Sequence, residues 1–516
     1  MVDMPALIQA MLRPELYPDR PAAVELVQTQ MSFLLLAGGY VYKVKKPVNL
    51  GYLDYTTLEQ RRNFCEREVE LNRRLCPDIY LGVVPVIERG GQVALGGAGE
   101  AVEYAVKMRR LRRERMLDVL LVDEAVTARM MTALAGKLAR FHARAATGPE
   151  ISRFGELDAL RVNTEENFSQ TYDYIGRTIA PEKYRRIKDY TDGFLESNAA
   201  LFRRRAAGGR IRDCHGDLHA AHVCFSAGIC IYDCIEFNDR FRYCDVASET
   251  AFLAMDLDHY GRADLSGHFA RSYARQSGDD ELAALLKFYK CYRAYVRGKV
   301  EGFKLHDPYI SPEDKRLTLK VAGSYFDLAG AYTRSRPLLL VMMGLVGTGK
   351  TTVAQLLARR LGLEVISSDV TRKKLAGVPL REPHRDEFDT GLYAAGFTRR
   401  TYDRMFREAR KTLGRGDSVV LDASFIKAGE RGAASALAGE TAADFFVVEC
   451  VLDESSIKSR LAGRLAGHPV SDGRPEILEP QKKRYEPVTG MPESYIRVDT
   501  SGDMDEVVTE IVRRVE

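Results

Sequence analysis

The chain has 516 residues, 45% hydrophobic and 29% charged, a composition that fits a folded globular protein and a length that fits two or three domains. Its 76 basic and 72 acidic residues leave a net charge of +4, which supplies no basic footprint and argues against a nucleic-acid partner. No run reaches the roughly 18 apolar residues of a membrane span, the start MVDMPALIQAMLRPEL does not read as a signal peptide, and nine cysteines, an odd number, point to reduced thiols in a cytoplasmic protein.

Residues 24–48, VELVQTQMSFLLLAGGYVYKVKKPV, are β-rich, and Gly38-Gly39 predicts a hairpin between SFLLLA and YVYKVKK. TTLEQRRNFCEREVELNRRL follows with helical spacing and ends before Pro77. YLGVVPVIERGGQVAL and EYAVKMRRL read as two further strands with a Gly-rich turn between them. Helices are expected over about 125–145 and 180–205, then a loop with two short strands, HVCF and ICIYD, then a helical tail whose tyrosines from Tyr289 to Tyr295 belong in the core. The pattern changes near TRSRP, residues 333–337. LLLVMM, LEVIS, SVVLD, FFVVECVL and SYIRVD are apolar strands separated by helices, as in a doubly wound α/β domain with a parallel sheet. The domains are therefore set at 1–336 and 337–516.

GLVGTGKT, Gly344 to Thr351, matches G-x-x-x-x-G-K-[ST], with a buried-type strand before it and the helix TTVAQLLARRL, capped by Gly362, after it. Gly344, Gly347 and Gly349 let the backbone turn its N–H groups toward a nucleotide's phosphates, and the helix N-terminus adds its positive end. Thr348 and Thr352 complete the nucleotide-binding loop. Lys350 is placed to reach the β- and γ-phosphates of ATP or GTP, and Thr351 to hold Mg²⁺. Asp369 and Arg372 follow the second strand, where a carboxylate faces the loop and is suited to take a proton from an acceptor hydroxyl while the arginine steers the acceptor. Asp422 ends a buried strand and is a second magnesium-site residue. Arg460, Arg464 and Arg474 lie in a Gly-rich stretch suited to a lid closing on the γ-phosphate. GLVGTGKTT, SSDVTRK, VVLDASF and RLAGR together resemble the small kinases of the AAA-type P-loop group, relatives of zeta toxins, gluconate kinases and the kinase half of polynucleotide kinases. The resemblance covers about 337–516 and implies Asp369 as acceptor base and the arginines near 460–464 as lid residues.

RDCHGDLHAAHVCF, residues 212–225, bears on the N-terminal domain. A kinase loop needs a base beside the acceptor hydroxyl and a metal ligand five residues on. Asp217 stands as the base, and the fifth position after it is His222. Asp233, at the end of ICIYD, stands where a second metal ligand belongs. Upstream, Lys43 follows the glycine turn and Glu68 would hold it from a helix; Lys45 shares the strand face, and Lys43 is preferred. Cys214, Cys224, Cys230, Cys234 and Cys244, interleaved with His215, His219 and His222, form the competing zinc reading. The kinase reading also accounts for Asp233 and the upstream strands. His142 reads as a helix-packing residue, and Asp245 as a cap or brace of the loop.

YVYKVKKPV, REVELNRRL, LAGKLARFHA, HGDLH and IYDCIEFNDRFRYCDVASE together resemble the aminoglycoside phosphotransferase family, over roughly 25–330. The resemblance implies a bilobal α+β protein-kinase-like fold, and the whole chain is similar to bacterial fusions of such a domain with a P-loop domain. His222 departs from the family's asparagine. The expected activity is transfer of the γ-phosphoryl of MgATP to a hydroxyl of a small molecule. Two alternatives stay open: the N-terminal domain as a non-catalytic binding or regulatory module, and a nucleic-acid 5′-hydroxyl kinase.

Overall fold

A computed structural model describes residues 5–306, 310–380, 390–464 and 474–516, the side chain of residue 464 excepted. The chain packs as two compact units, each built from separated segments. One holds Met1–Glu165, Leu195–Leu253 and His268–Tyr289; the other holds Glu166–Phe194, Ala254–Gly267 and Lys290–Glu516.

The first unit opens with a six-stranded antiparallel sheet of β1 (Val24–Gln28), β2 (Ser32–Ala37), β3 (Tyr40–Lys45), β4 (Tyr80–Arg89), β5 (Gln92–Leu95) and β6 (Ala101–Arg109), in the order β1-β2-β3-β6-β4-β5. The hairpin at Gly38-Gly39 joins β2 to β3 in the register Ala37 to Tyr40. YLGVVPVIERGGQVAL is two strands, not one: Gly90 and Gly91 both have positive φ and fold β5 back on β4. The helix Leu58–Arg73 packs on β4 and β6 and begins at a capping box, in which Thr57 accepts from the Gln60 amide while the Gln60 side chain satisfies the Thr57 N–H. Its Cys65 and Val69 close over Val41, Tyr80 and Val106 of the sheet. Below the sheet lie mainly helices, among them Ala128–Arg144 and the start of Val246–His259. Between them run two short antiparallel pairs: β7 (Ile211–Asp213) with β10 (Tyr243–Asp245), and β8 (Val223–Phe225) with β9 (Ile229–Ile231).

One sequence expectation fails here. Cys76 and Cys230, 154 residues apart, have Cα atoms separated by 4.8 Å and form a disulfide, so not all thiols are reduced. Spacing arguments confined to residues 214–244 had no means of finding this pair. The other seven cysteines are free, six of them buried.

The second unit is built on a five-stranded parallel sheet of β11 (Leu338–Met343), β12 (Glu364–Ser367), β13 (Val419–Asp422), β14 (Asp444–Val451) and β15 (Tyr495–Asp499), in the order β12-β13-β11-β14-β15. Every residue of β11 and β13 is buried, which is why both read as continuous apolar runs. From β11 the chain fills one side of the sheet and then crosses to the other, so the reversal falls beside the C-terminal end of β11. Three stretches from earlier in the chain join this unit. The helix Pro312–Tyr332 packs along Lys350–Leu361, and Asp327 receives Lys183 and the Arg360 Nε, the latter at 2.6 Å. Glu516 binds Lys183 at 3.0 Å and Arg186 at 3.1 Å. Among the described residues no helix is long and apolar enough to cross a membrane.

Candidate active sites

In the first unit a turn between β7 and β8 carries Asp217. Gly216 has φ +87°, and a Cβ there would sit 2.8 Å from the Phe241 carbonyl, so only glycine makes this turn. Glu249, fully buried in the helix Val246–His259, accepts the backbone N–H groups of His215 at 2.8 Å and Gly216 at 2.7 Å. Its second oxygen meets His142 Nε2 at 2.8 Å, and His142 Nδ1 meets the Tyr273 hydroxyl at 2.6 Å. Burial pushes the Glu249 pKa up, but the His142 contact, His215 and the loop amide outweigh it and the net direction is down. Asp245 plays a different part: it takes two bonds from buried Arg205, both at 2.7 Å, and caps the Ala247 amide.

Lys43, Glu68 and Asp233 converge as expected. Lys43 Nζ lies 2.9 Å from Glu68 Oε1 and 2.8 Å from Asp233 Oδ1. Lys45, one step along the same strand face, binds the other oxygen of Glu68 at 2.7 Å and also Glu236, which accepts from the Tyr55 hydroxyl at 2.6 Å. Lys43 is thus the ammonium that touches both Glu68 and Asp233, and Lys45 anchors the helix beneath. Burial alone would push both lysines down; the facing carboxylates raise them instead. Asp233 is opposed by burial, yet Lys43 and His222 hold its carboxyl far below the ordinary range. Its backbone is left-handed, φ +63°, a conformation kept by the Tyr80 hydroxyl on its N–H at 3.2 Å and Asn72 Oδ1 on the next amide at 2.9 Å.

Three imidazoles line the loop. His215 Nε2 donates to the Tyr232 carbonyl at 2.9 Å and its Nδ1 accepts from the Asp217 amide at 3.3 Å. His222 Nδ1 donates to the Asp217 carbonyl at 2.9 Å, while its Nε2 lies 3.6 Å from Asp233 Oδ2. Burial, helped by the neighbouring His219, pushes the His222 pKa down to about 4. His219 Nε2 lies 3.6 Å from Asp217 Oδ2, and its ring centroid is 3.9 Å from that of His222. Among the described residues two groups bring three metal-type donors together, Asp217 with His219 and His222, and buried His142 with Cys214 and Glu249. The second is spoken for by the loop brace, and Cys230 is in the disulfide, so the cysteine-rich zinc reading finds no four-cysteine centre among them.

Glu249 is the residue that sequence reasoning missed. Removing it strands two buried amides, and Glu249→Ala is expected to cost about 3 kcal/mol, read as a lower urea midpoint. Because its folded pKa is lowered, the stabilisation is present above about pH 4.3, the unfolded glutamate value, and is lost as pH falls further.

In the second unit the loop after β11 begins at Gly344, φ +139°, where a Cβ would run into the Cys450 carbonyl. The helix Lys350–Leu361 starts directly from the loop and ends at Gly362 in the left-handed region. Lys350 Nζ bonds the Leu345 carbonyl at 2.6 Å, and Thr351 Oγ1 donates to Asp422 Oδ2 at 2.9 Å. Thr348 is buried, with its carbonyl accepting from Thr500 Oγ1 at 2.9 Å; Thr352 is exposed. Asp369 lies in the first turn of the helix Ser368–Ala376 beyond β12, on the same carboxyl edge of the sheet as Asp422 and the loop. Arg372 is buried, stacks over the Tyr393 ring at 4.5 Å and reaches Asp369 Oδ1 at 3.4 Å. Arg460, in the helix Glu454–Arg464, bonds the Thr500 carbonyl at 2.6 Å and so connects through Thr500 to the loop. The Arg464 side chain and residues 465–473 lie outside the described residues, and Arg474 precedes the turn Pro475–Ile477.

These arrangements define an enzyme of the kinase and phosphotransferase class, and comparison with known proteins agrees. The model of the phosphotransferase enzyme family matches residues 60–288, and that of the AAA domain matches 339–488. Uncharacterized proteins of Mycobacterium tuberculosis and Mycobacterium bovis are each 34% identical to this chain over 458 residues, 88% of this chain and 88% of theirs. The chain belongs to the same family as these mycobacterial proteins, and it joins a phosphotransferase-family domain to a C-terminal P-loop domain of AAA type. Solved structures similar to it include a gluconokinase from Sinorhizobium meliloti, 21% identical, covering 35% of this chain and 93% of that one with a TM-score of 0.25. Another is the Mycobacterium tuberculosis APS kinase in complex with AMPPNP and APS, 20% identical, covering 35% and 99% with a TM-score of 0.26.

Proposed function

We propose that this protein is a tandem kinase that transfers the γ-phosphoryl of ATP to a hydroxyl of a small molecule. The observation that carries this reading is the Thr351–Asp422 pair beside the glycine loop, a hydroxyl in the first turn of the helix Lys350–Leu361 and a carboxylate at the end of the strand beside β11. Both are hard oxygen donors and fit Mg²⁺, which when bound would neutralise phosphate charge. In the rear half, Lys350 swings from the Leu345 carbonyl to the β- and γ-phosphates. Asp369 accepts the acceptor's proton as its oxygen bonds to the γ-phosphorus and the β–γ bridge breaks, releasing ADP. Arg372 orients the acceptor beside Asp369, and Arg460 and Arg464 offset charge on the transferred group. In the front half, Asp217 is the base, Lys43 held by Glu68 contacts the phosphates, and Asp233 with His222 would hold a divalent ion, which when bound would neutralise phosphate charge.

The test is phosphate transfer from labelled ATP to a panel of hydroxyl-bearing metabolites, using full-length protein. Labelled products are expected; ATP hydrolysis unaffected by every acceptor would sink the transferase reading. A second reading, the front half as a regulatory module, is favoured by His222 at the family's asparagine position. Calorimetry of the Lys350→Ala chain with MgATP separates the two, since a pure module need not bind nucleotide.

A further inference from the structure

The front site's donors differ in kind from those of the rear site. The Asp217 carbonyl can only accept, so His222 Nδ1 carries a proton, and in the neutral ring Nε2, 3.6 Å from Asp233 Oδ2, keeps its lone pair. That lone pair and the carboxylate repel unless a proton or a metal ion lies between them. Two ligand atoms bonded to one ion at about 2.0–2.2 Å each span such a gap at a wide coordination angle. The charges alongside agree. Lys43 and Lys45 face Glu68, Glu236 and Asp233, two ammonium groups against three carboxylates, which leaves negative charge at this point. Asp217 adds a fourth carboxylate, with the His219 ring 3.9 Å from that of His222.

Magnesium takes oxygen ligands and keeps its waters, whereas imidazole raises affinity for first-row transition ions and zinc. We infer that the front site selects a nitrogen-seeking dication such as Mn²⁺ or Zn²⁺ over Mg²⁺, with His222 Nε2 and Asp233 Oδ2 as its protein ligands. The two halves of one chain then draw on different metals. This rests on the front half keeping a kinase-type metal position, and it predicts a binding property that needs no turnover.

The experiment uses full-length protein carrying Asp422→Asn to weaken the rear metal site, titrated with Mn²⁺ alone and without nucleotide. Bound Mn²⁺ is counted by loss of the free-ion paramagnetic resonance signal, and its ligands are read from electron spin-echo modulation. Nitrogen modulation from a directly bound imidazole is expected, and it disappears in His222→Asn. That variant is expected to bind Mn²⁺ and Zn²⁺ at least about tenfold more weakly, while Mg²⁺ measured by competition changes far less. Bound Mn²⁺ without nitrogen modulation, no binding, or an equal loss for Mn²⁺ and Mg²⁺ would overturn the inference. If His222→Asn fails to fold, His222→Gln and the spectrum of the unsubstituted histidine still decide it. Metal bound through nitrogen in a front half that neither binds nor uses ATP would leave this inference standing and remove the kinase reading of that half.

Discussion

Replacing Lys350 by alanine is expected to lower phosphoryl transfer by the rear half by about a hundredfold to a thousandfold, the range seen when one preorganised transition-state donor is lost. The lysine begins the helix Lys350–Leu361, and its Nζ is held 2.6 Å from the Leu345 carbonyl, within the same loop that would cradle the phosphates. Losing that partly buried hydrogen bond should cost about 1 kcal/mol of stability. The fall in rate must therefore far exceed any fall in the thermal midpoint. The measurement is labelled-ATP turnover in an Asp217→Asn background, which removes the front site from the reading. Turnover within a few-fold of the parent would mean that the glycine loop does not handle the triphosphate.

The reverse experiment isolates the front site. In a Lys350→Ala background, Asp217→Asn is expected to remove the remaining transfer by roughly 10²–10⁴-fold, the usual worth of a positioned general base. Asparagine keeps the shape of the side chain beside His219 and His222, each 3.6 Å from Asp217 Oδ2, so the loop should stay folded. Unchanged transfer would show that Asp217 is not the base. No transfer at all in the Lys350→Ala parent would favour the regulatory reading of the front half.

Local signals made much of this legible in the sequence. The glycine loop was readable because strand, turn and helix are contiguous, and β11 and β13 because burial on both faces erases any alternation. Asp233 and the Lys43–Glu68 pair were readable because a kinase-like site repeats its residue types in order along the chain. What stayed hidden depends on contacts distant in sequence. Glu249 acts through backbone amides 33 and 34 residues away, and no side-chain pattern announces such a bond. The choice between Lys43 and Lys45 needed the third dimension, since alternation puts both on one face and only the position of Asp233 separates them. Cys76 and Cys230 have no spacing signature at a separation of 154. YLGVVPVIERGGQVAL passed for one strand because its turn lies between two apolar runs of like composition.

The segments Glu166–Phe194, Ala254–Gly267 and Lys290–Tyr332 share a compact unit with the P-loop sheet rather than with the strands that precede them in the chain. Within that unit Leu328 lies against Gly362, and Phe326 and Leu328 are almost wholly buried. Translation that stopped after residue 336 would release helices whose apolar faces wait for a sheet not yet made, a chain destined for proteolysis or aggregation rather than a smaller enzyme. A gene encoding this protein is therefore not expected to tolerate shortening at its apparent seam, and the two halves are inherited as a single piece.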